Sequence, residues 1–74
     1  MDHSYDQQVG QRIRAIRKER KLTQEQLAAR LQTSGCDVTR SALAKIETGQ
    51  RHIYAAELRA LRDVLNVSCD ELLP

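Results

Sequence analysis

"VTRSALAKIETGQR" spans residues 38–51, and its reading decides the fold. Drawn as a helix, it sets Leu43 and Ile46 on one side and Arg40, Ser41, Ala44, Lys45 and Thr48 on the other. That second side offers two cations, short polar groups and a methyl, with no acid among them. Thr39 is the expected N-cap: Val38 before it and Leu43 at the fourth helical position form a hydrophobic staple, although Ala42 cannot close a capping box. Asp37 is the weaker candidate, because its staple partners would be Cys36 and Ser41. Gly49 stops the helix, since glycine takes the left-handed conformation at little cost.

The same local logic locates two more helix starts. Thr23 has Leu22 before it, Leu27 at the staple position and Gln26 to close a capping box; Ser68 has Val67, Leu72 and Glu71 in the same places. Periodicity supplies the rest. Val9, Ile13, Ile16 and Arg20 recur at three- and four-residue steps and predict a first helix from about Tyr5 to Arg20. Gly10 inside it costs about 1 kcal/mol against alanine, and is either explained by a close helix crossing or simply tolerated. A second helix runs from about Gln24 to Gln32 or a little beyond. Leu58, Leu61 and Leu65 predict a fourth from about Ala55 to Leu65, with Asn66 as a left-handed stop. Tyr54 stands at its cap position, where a phenol caps poorly, so that start is expected to fray. Residues 1–4 are expected to fray as well. The sum is a compact five-helix bundle, an all-α fold without strands.

Composition bounds the rest. Seventy-four residues make one domain, expected to span residues 1–74. Two Tyr are the only large aromatics, so the core must be aliphatic. No apolar run approaches the roughly 20 residues of a membrane span. The opening MDHSYDQQ lacks the basic and apolar regions of a signal peptide, and a cytoplasmic location with no membrane partner is expected. Net charge is only +2, but residues 1–22 carry six Lys or Arg against three acids, whereas residues 53–74 carry two against four. That gives the molecule a basic front and an acidic back. Cys36 and Cys69 lack metal-ligand spacing and are expected to be reduced thiols. His3 and His52 lie far apart without a carboxylate cluster. No catalytic constellation, metal site, cofactor or small-molecule ligand is expected, and the chain does not read as an enzyme.

Two charges stand inside apolar stripes. Arg17 follows Ile13 by four residues, and Glu47 follows Leu43 by four. Each alone is an expensive burial; together, with opposite signs, they predict a bidentate ion pair linking helices 1 and 3.

"LTQEQLAARL", "VTRSALAKIETG" and "LRALRDVLNVSCDELL", in that order, resemble the second, third and last two helices of the phage repressor and Cro-type (XRE-like) helix-turn-helix family. The resemblance covers about residues 8 to 73. It implies a lambda-repressor-like fold, double-stranded DNA as the partner, and a sequence-specific transcriptional regulator or repressor that lays its third helix, residues 39–48, in the major groove. By position, Arg40, Ser41, Ala44 and Lys45 would read base edges: Arg40 paired with guanine O6 and N7, Ala44 against a thymine methyl. Gln24, Thr39, Gln50, Arg51 and His52 would contact phosphates, Gln24 at the positive end of helix 2. Arg12, Arg14 and Lys18 would add long-range attraction. The family's arginine–glutamate link falls on Arg17 and Glu47. A homodimer on DNA is implied, with Ile53, Tyr54, Leu72 and Leu73 as candidate contacts. Two other readings stand beside this one: an antitoxin that represses its own operon and binds a toxin protein, and an adaptor that kept the fold and lost DNA binding. One departure stands out. Between Leu31 and Leu43 the chain is about five residues longer than the family's usual connection, "TSGCD" (residues 33–37) being the insertion. Either helix 2 extends a turn to Gly35 or the loop bulges.

Overall fold

Most of the helices end alike. The computed structural model describes residues 4–74 and contains helices α1 (Ser4–Glu19), α2 (Gln24–Thr33), α3 (Arg40–Glu47), α4 (Ala55–Leu65) and α5 (Cys69–Leu72). After each of the first four, one residue turns left-handed: Lys21 at φ 59°, Gly35 at 92°, Gly49 at 77° and Asn66 at 56°. The amide of that residue and the amide after it fold back onto the last turn of carbonyls. At α1, Lys21 and Leu22 donate to the carbonyls of Lys18 and Arg17; at α3, Gly49 and Gln50 donate to those of Ile46 and Lys45. Otherwise orphaned helix-end carbonyls are satisfied this way, and the chain is turned sharply into the next element.

The starts are less uniform. Thr23 closes its full capping box: its hydroxyl accepts from Gln26 N–H at 3.0 Å, and the Gln26 side chain accepts from Thr23 N–H at 2.9 Å. Thr39 accepts from Ala42 N–H at 3.1 Å. Two expectations need correction. Ser68 makes no side-chain capping bond; α5 is a single turn held by the complete burial of Leu72. Tyr54 does not leave α4 open, because the Glu57 carboxylate reaches back to accept Tyr54 N–H at 3.0 Å. The expected fraying of residues 1–4 falls mainly on residues 1–3, His3 among them, which lie outside the described residues; Ser4 already opens α1.

The core is aliphatic. Val9, Ile13, Leu27, Leu31, Val38, Leu43, Ile46, Leu61, Leu65 and Leu72 are fully buried, one or more from every helix, with Val38 from the loop before α3. Helix α3 lies between α1 and α2, while α4 packs on α2 and α5. Gly10 is explained by the crossing of α1 over α3. A β-carbon there would strike the carbonyl oxygen of Ile46 and come within 2.9 Å of that of Glu47.

Residues 33–37 neither lengthen α2 by a turn nor bulge freely. Thr33 ends the helix, Gly35 reverses the chain, and Cys36 N–H donates to Leu31 O at 2.8 Å. Cys36 is thereby half-buried against the core. A tight turn carrying Val38 N–H to Cys36 O, at 2.9 Å, then delivers Val38 inward and Thr39 to its cap. Residues 34–39 connect the two helices, and α2 and α3 remain packed together.

Candidate nucleic-acid interface

Helix α3 has two unlike sides. Leu43, Ile46 and Glu47 are buried; Arg40, Ser41, Lys45 and Thr48 are exposed, and Ala44 is half-buried between them. Neither Arg40 nor Lys45 is ion-paired or hydrogen-bonded through its side chain to any described residue. Two charges of one sign therefore project from one short helix with their donors unused.

The inner side is pinned by charge. Arg17 Nε donates to Glu47 Oε2 at 2.7 Å and Arg17 Nη2 to Oε1 at 3.0 Å, with the two side chains only 9% and 1% exposed. Arg17 Nη1 donates to the carbonyl of Leu22 at 2.8 Å. Gln24 Nε2 adds a third donor to the carboxylate, reaching Glu47 Oε1 at 3.0 Å. The network joins α1, the turn after it, the start of α2 and the end of α3. Buried pairs of this kind need not add net stability, but removing one member strands the other at a cost of about 3–5 kcal/mol. Their effect is to fix the angle at which α3 stands on the bundle.

Of the residues expected on phosphates, Thr39 and Gln50 are exposed on either side of α3. Gln24 opens α2, at the positive end of that helix. Its side-chain amide belongs to the Glu47 network, so what it can offer an anion is the backbone N–H at the α2 N-terminus, where the first amides have no acceptor within the helix. Arg51 is also engaged. Its Nη1 and Nη2 meet Glu57 Oε1 and Oε2 at 2.8 Å each, Nη1 donates as well to His52 O at 3.0 Å, and the guanidinium lies 5.6 Å from the Tyr54 ring centroid. These hydrogen bonds hold the Glu57 carboxyl below the usual carboxylate range, outweighing its partial burial, and raise the Arg51 guanidinium. His52 Nδ1 faces Asp6 Oδ1 of α1 at 3.0 Å. The loop after α3 is thus bracketed by two carboxylates, one from α1 and one from α4.

Glu57 was the residue that sequence reading missed. Its signal was its place three residues after Tyr54, which is capping-box spacing, hidden because tyrosine is not a capping residue. The suggested dimer contacts also divide: Ile53 and Leu72 belong to the core, Leu73 is half-buried, and Tyr54 is 62% exposed. Burial pushes the Cys36 thiol up, which leaves it protonated at neutral pH. Among the described residues, no helix is long and apolar enough to cross a membrane.

Two successive helices joined by the short connection 34–39, the second pinned from behind and cationic in front, define a helix-turn-helix unit. The helix-turn-helix family model matches residues 13–72, and the chain belongs to that family. It is 45% identical over 65 residues to the uncharacterized HTH-type transcriptional regulator YazB of Bacillus subtilis (strain 168), covering 88% of this chain and 87% of YazB. Over 65 residues it is 42% identical to the immunity repressor protein of Bacillus phage phi105, covering 88% of this chain and 42% of that longer protein. Among solved structures it superposes on the restriction-modification controller protein C.AhdI from Aeromonas hydrophila with a TM-score of 0.83 and 30% identity, covering 96% of each chain. The S. venezulae BldD DNA-binding domain gives a TM-score of 0.80 at 28% identity, covering 96% of this chain and 99% of that one.

Proposed function

We infer that this chain is a sequence-specific DNA-binding repressor of transcription that reads the major groove with α3. The observation that carries the reading is the pair of exposed, internally unpartnered cations, Arg40 and Lys45, on a helix whose back is locked by Arg17 and Glu47. Arg40 suits guanine O6 and N7, Lys45 guanine acceptors or a phosphate, Ala44 a thymine methyl, and Ser41 either kind of base. Thr39, Gln50 and the free amides opening α2 serve the flanking phosphates. The helix-turn-helix family consists of DNA-binding regulators rather than enzymes. The regulator and repressor names of its relatives support the regulatory role.

A two-fold dimer on DNA, with half-sites about one helical turn (roughly 34 Å) apart, completes the reading. A single domain of this size offers one short reading helix, and of the suggested contacts Tyr54 is exposed and Leu73 half-buried. The chain then acts in the cytoplasm, where its DNA is. Selection of bound fragments from random duplex DNA tests both parts. A palindromic consensus is the expected result; recovery of no consensus would reject sequence-specific reading, and a single unrepeated half-site would reject the dimer.

A further inference from the structure

We propose that Glu57 withholds Arg51 from the DNA backbone, keeping the loop after the reading helix electrically quiet and setting affinity below what the cation count allows. The proposal rests on the DNA-binding reading above. Arg51 is the one Lys or Arg between residues 46 and 58, and the loop that carries it leaves α3 directly. In a charge-steered interface such a residue would be a natural phosphate contact. Here its two terminal nitrogens are taken by one carboxylate, one of them also by a backbone carbonyl, and its face lies toward Tyr54.

Most surface ion pairs contribute little because both side chains are free to leave. This pair differs in three respects. Its side chains are only 29% and 15% exposed. It is bidentate, the geometry that suits a guanidinium best. And Glu57 is held independently of Arg51, since the same carboxylate accepts Tyr54 N–H as the opening of α4. Arg51 can leave only by stranding a half-buried carboxylate that the helix start keeps in place. A cation neutralised inside the chain displaces no counterion from DNA, so it adds neither affinity nor salt dependence. Across the same loop Asp6 Oδ1 stands 3.0 Å from Nδ1 of His52, whose imidazole stays largely exposed.

The experiment measures affinity against salt at neutral pH for a mixed-sequence duplex long enough for two half-sites. Four proteins are compared: the wild type, Glu57→Gln, Arg51→Ala and the double variant. Glutamine keeps an oxygen for Tyr54 N–H and removes only the charge. Glu57→Gln is expected to steepen the slope of log K against log salt by about 0.9 per bound chain. That is about an eightfold larger gain in affinity for each tenfold drop in salt. Arg51→Ala alone is expected to leave the slope unchanged, and in the double variant to return it to the wild-type value. An unchanged or shallower slope for Glu57→Gln would overturn the proposal. So would a slope lowered by one contact in Arg51→Ala alone, which would mean that Arg51 already sits on a phosphate. If Glu57→Gln merely loosened α4, binding would weaken equally at every salt concentration, and that outcome also overturns it. A wild type without salt-dependent duplex binding fails earlier and differently, by rejecting the DNA reading itself.

Discussion

Glu47, near the end of the reading helix, accepts a bidentate pair of hydrogen bonds from Arg17 of α1, at 2.7 and 3.0 Å, in an almost water-free setting. The residue that most constrains the outward side of α3 therefore faces away from it. Orientation of the helix and the recognition proposed for it fall on different residues, and each can be tested separately.

Glu47→Ala leaves the Arg17 guanidinium buried without its counter-charge and is expected to cost about 3–5 kcal/mol. Glu25 is exposed in the first turn of α2, and Glu25→Ala should stay within about 0.5 kcal/mol. Thermal melts of the two variants separate these cases. For a domain of this size, 1 kcal/mol corresponds to about 4–8 °C, so equal shifts would discard the pair as a structural link.

Gly10→Ala sets helix propensity against packing. Propensity alone favours alanine by about 1 kcal/mol. The added methyl meets the backbone carbonyls of Ile46 and Glu47, which cannot rotate aside as a side chain would, and overpacking of this kind costs about 1–3 kcal/mol. Chemical denaturation should show net destabilisation; a more stable variant would mean that α1 and α3 do not cross at Gly10.

Lys21 closes α1 in the left-handed region, at φ 59°. Left-handed backbone costs an ordinary residue about 1–2 kcal/mol, while glycine's greater freedom in the unfolded chain returns part of the gain. Lys21→Gly is expected to stabilise the fold by up to about 1 kcal/mol, read as a higher denaturation midpoint with an unchanged slope. A lower midpoint would place the closing strain elsewhere.

Arg40→Ala should cost about 1–3 kcal/mol in binding and relax preference at one base position. Competition among single-base variants of the selected operator measures this. An equal loss on every sequence would move Arg40 from the base edge to a phosphate.

The Arg51–Glu57 pair also gives stability a pH dependence. Hydrogen bonding from Arg51 lowers the folded-state Glu57 carboxyl below its ordinary value. Its contribution is therefore complete above that ordinary value and is lost as pH falls through the depressed one. Between neutral and acidic pH, Glu57→Gln should lose less stability than the wild type in denaturation series. Parallel pH curves for the two would remove Glu57 from the acid response.

Much of this architecture is legible in the sequence because its signals are local. Thr23 and Thr39 announce their helices through neighbours within four residues. Arg17 and Glu47 stand out because each breaks an apolar stripe, and two opposite errors of that kind are resolved by one contact. What stayed hidden depends on pairs with no shared local pattern. Glu57 serves Tyr54 and Arg51 together, and neither residue announces a cap. Lys21 carries no mark of a left-handed residue; α1 must turn there whatever occupies the position, because Leu22 has to reach the core and lend its carbonyl to Arg17. Ser68 shows the opposite failure. Its capping pattern is complete, yet α5 is so short that the burial of Leu72 decides it without the cap.

The division of α3 into an anchored half and an uncommitted half bears on how such a molecule can change. Leu43, Ile46 and Glu47 secure the rod, while the side chains of Arg40, Ser41 and Lys45 are exposed and bond to no other described residue. Exchanging those outer side chains leaves the bundle's folding energy nearly untouched. On the base-reading role proposed for those side chains, a duplicate of this chain can drift toward a new address on the chromosome by a few surface substitutions, with no compensating repair inside.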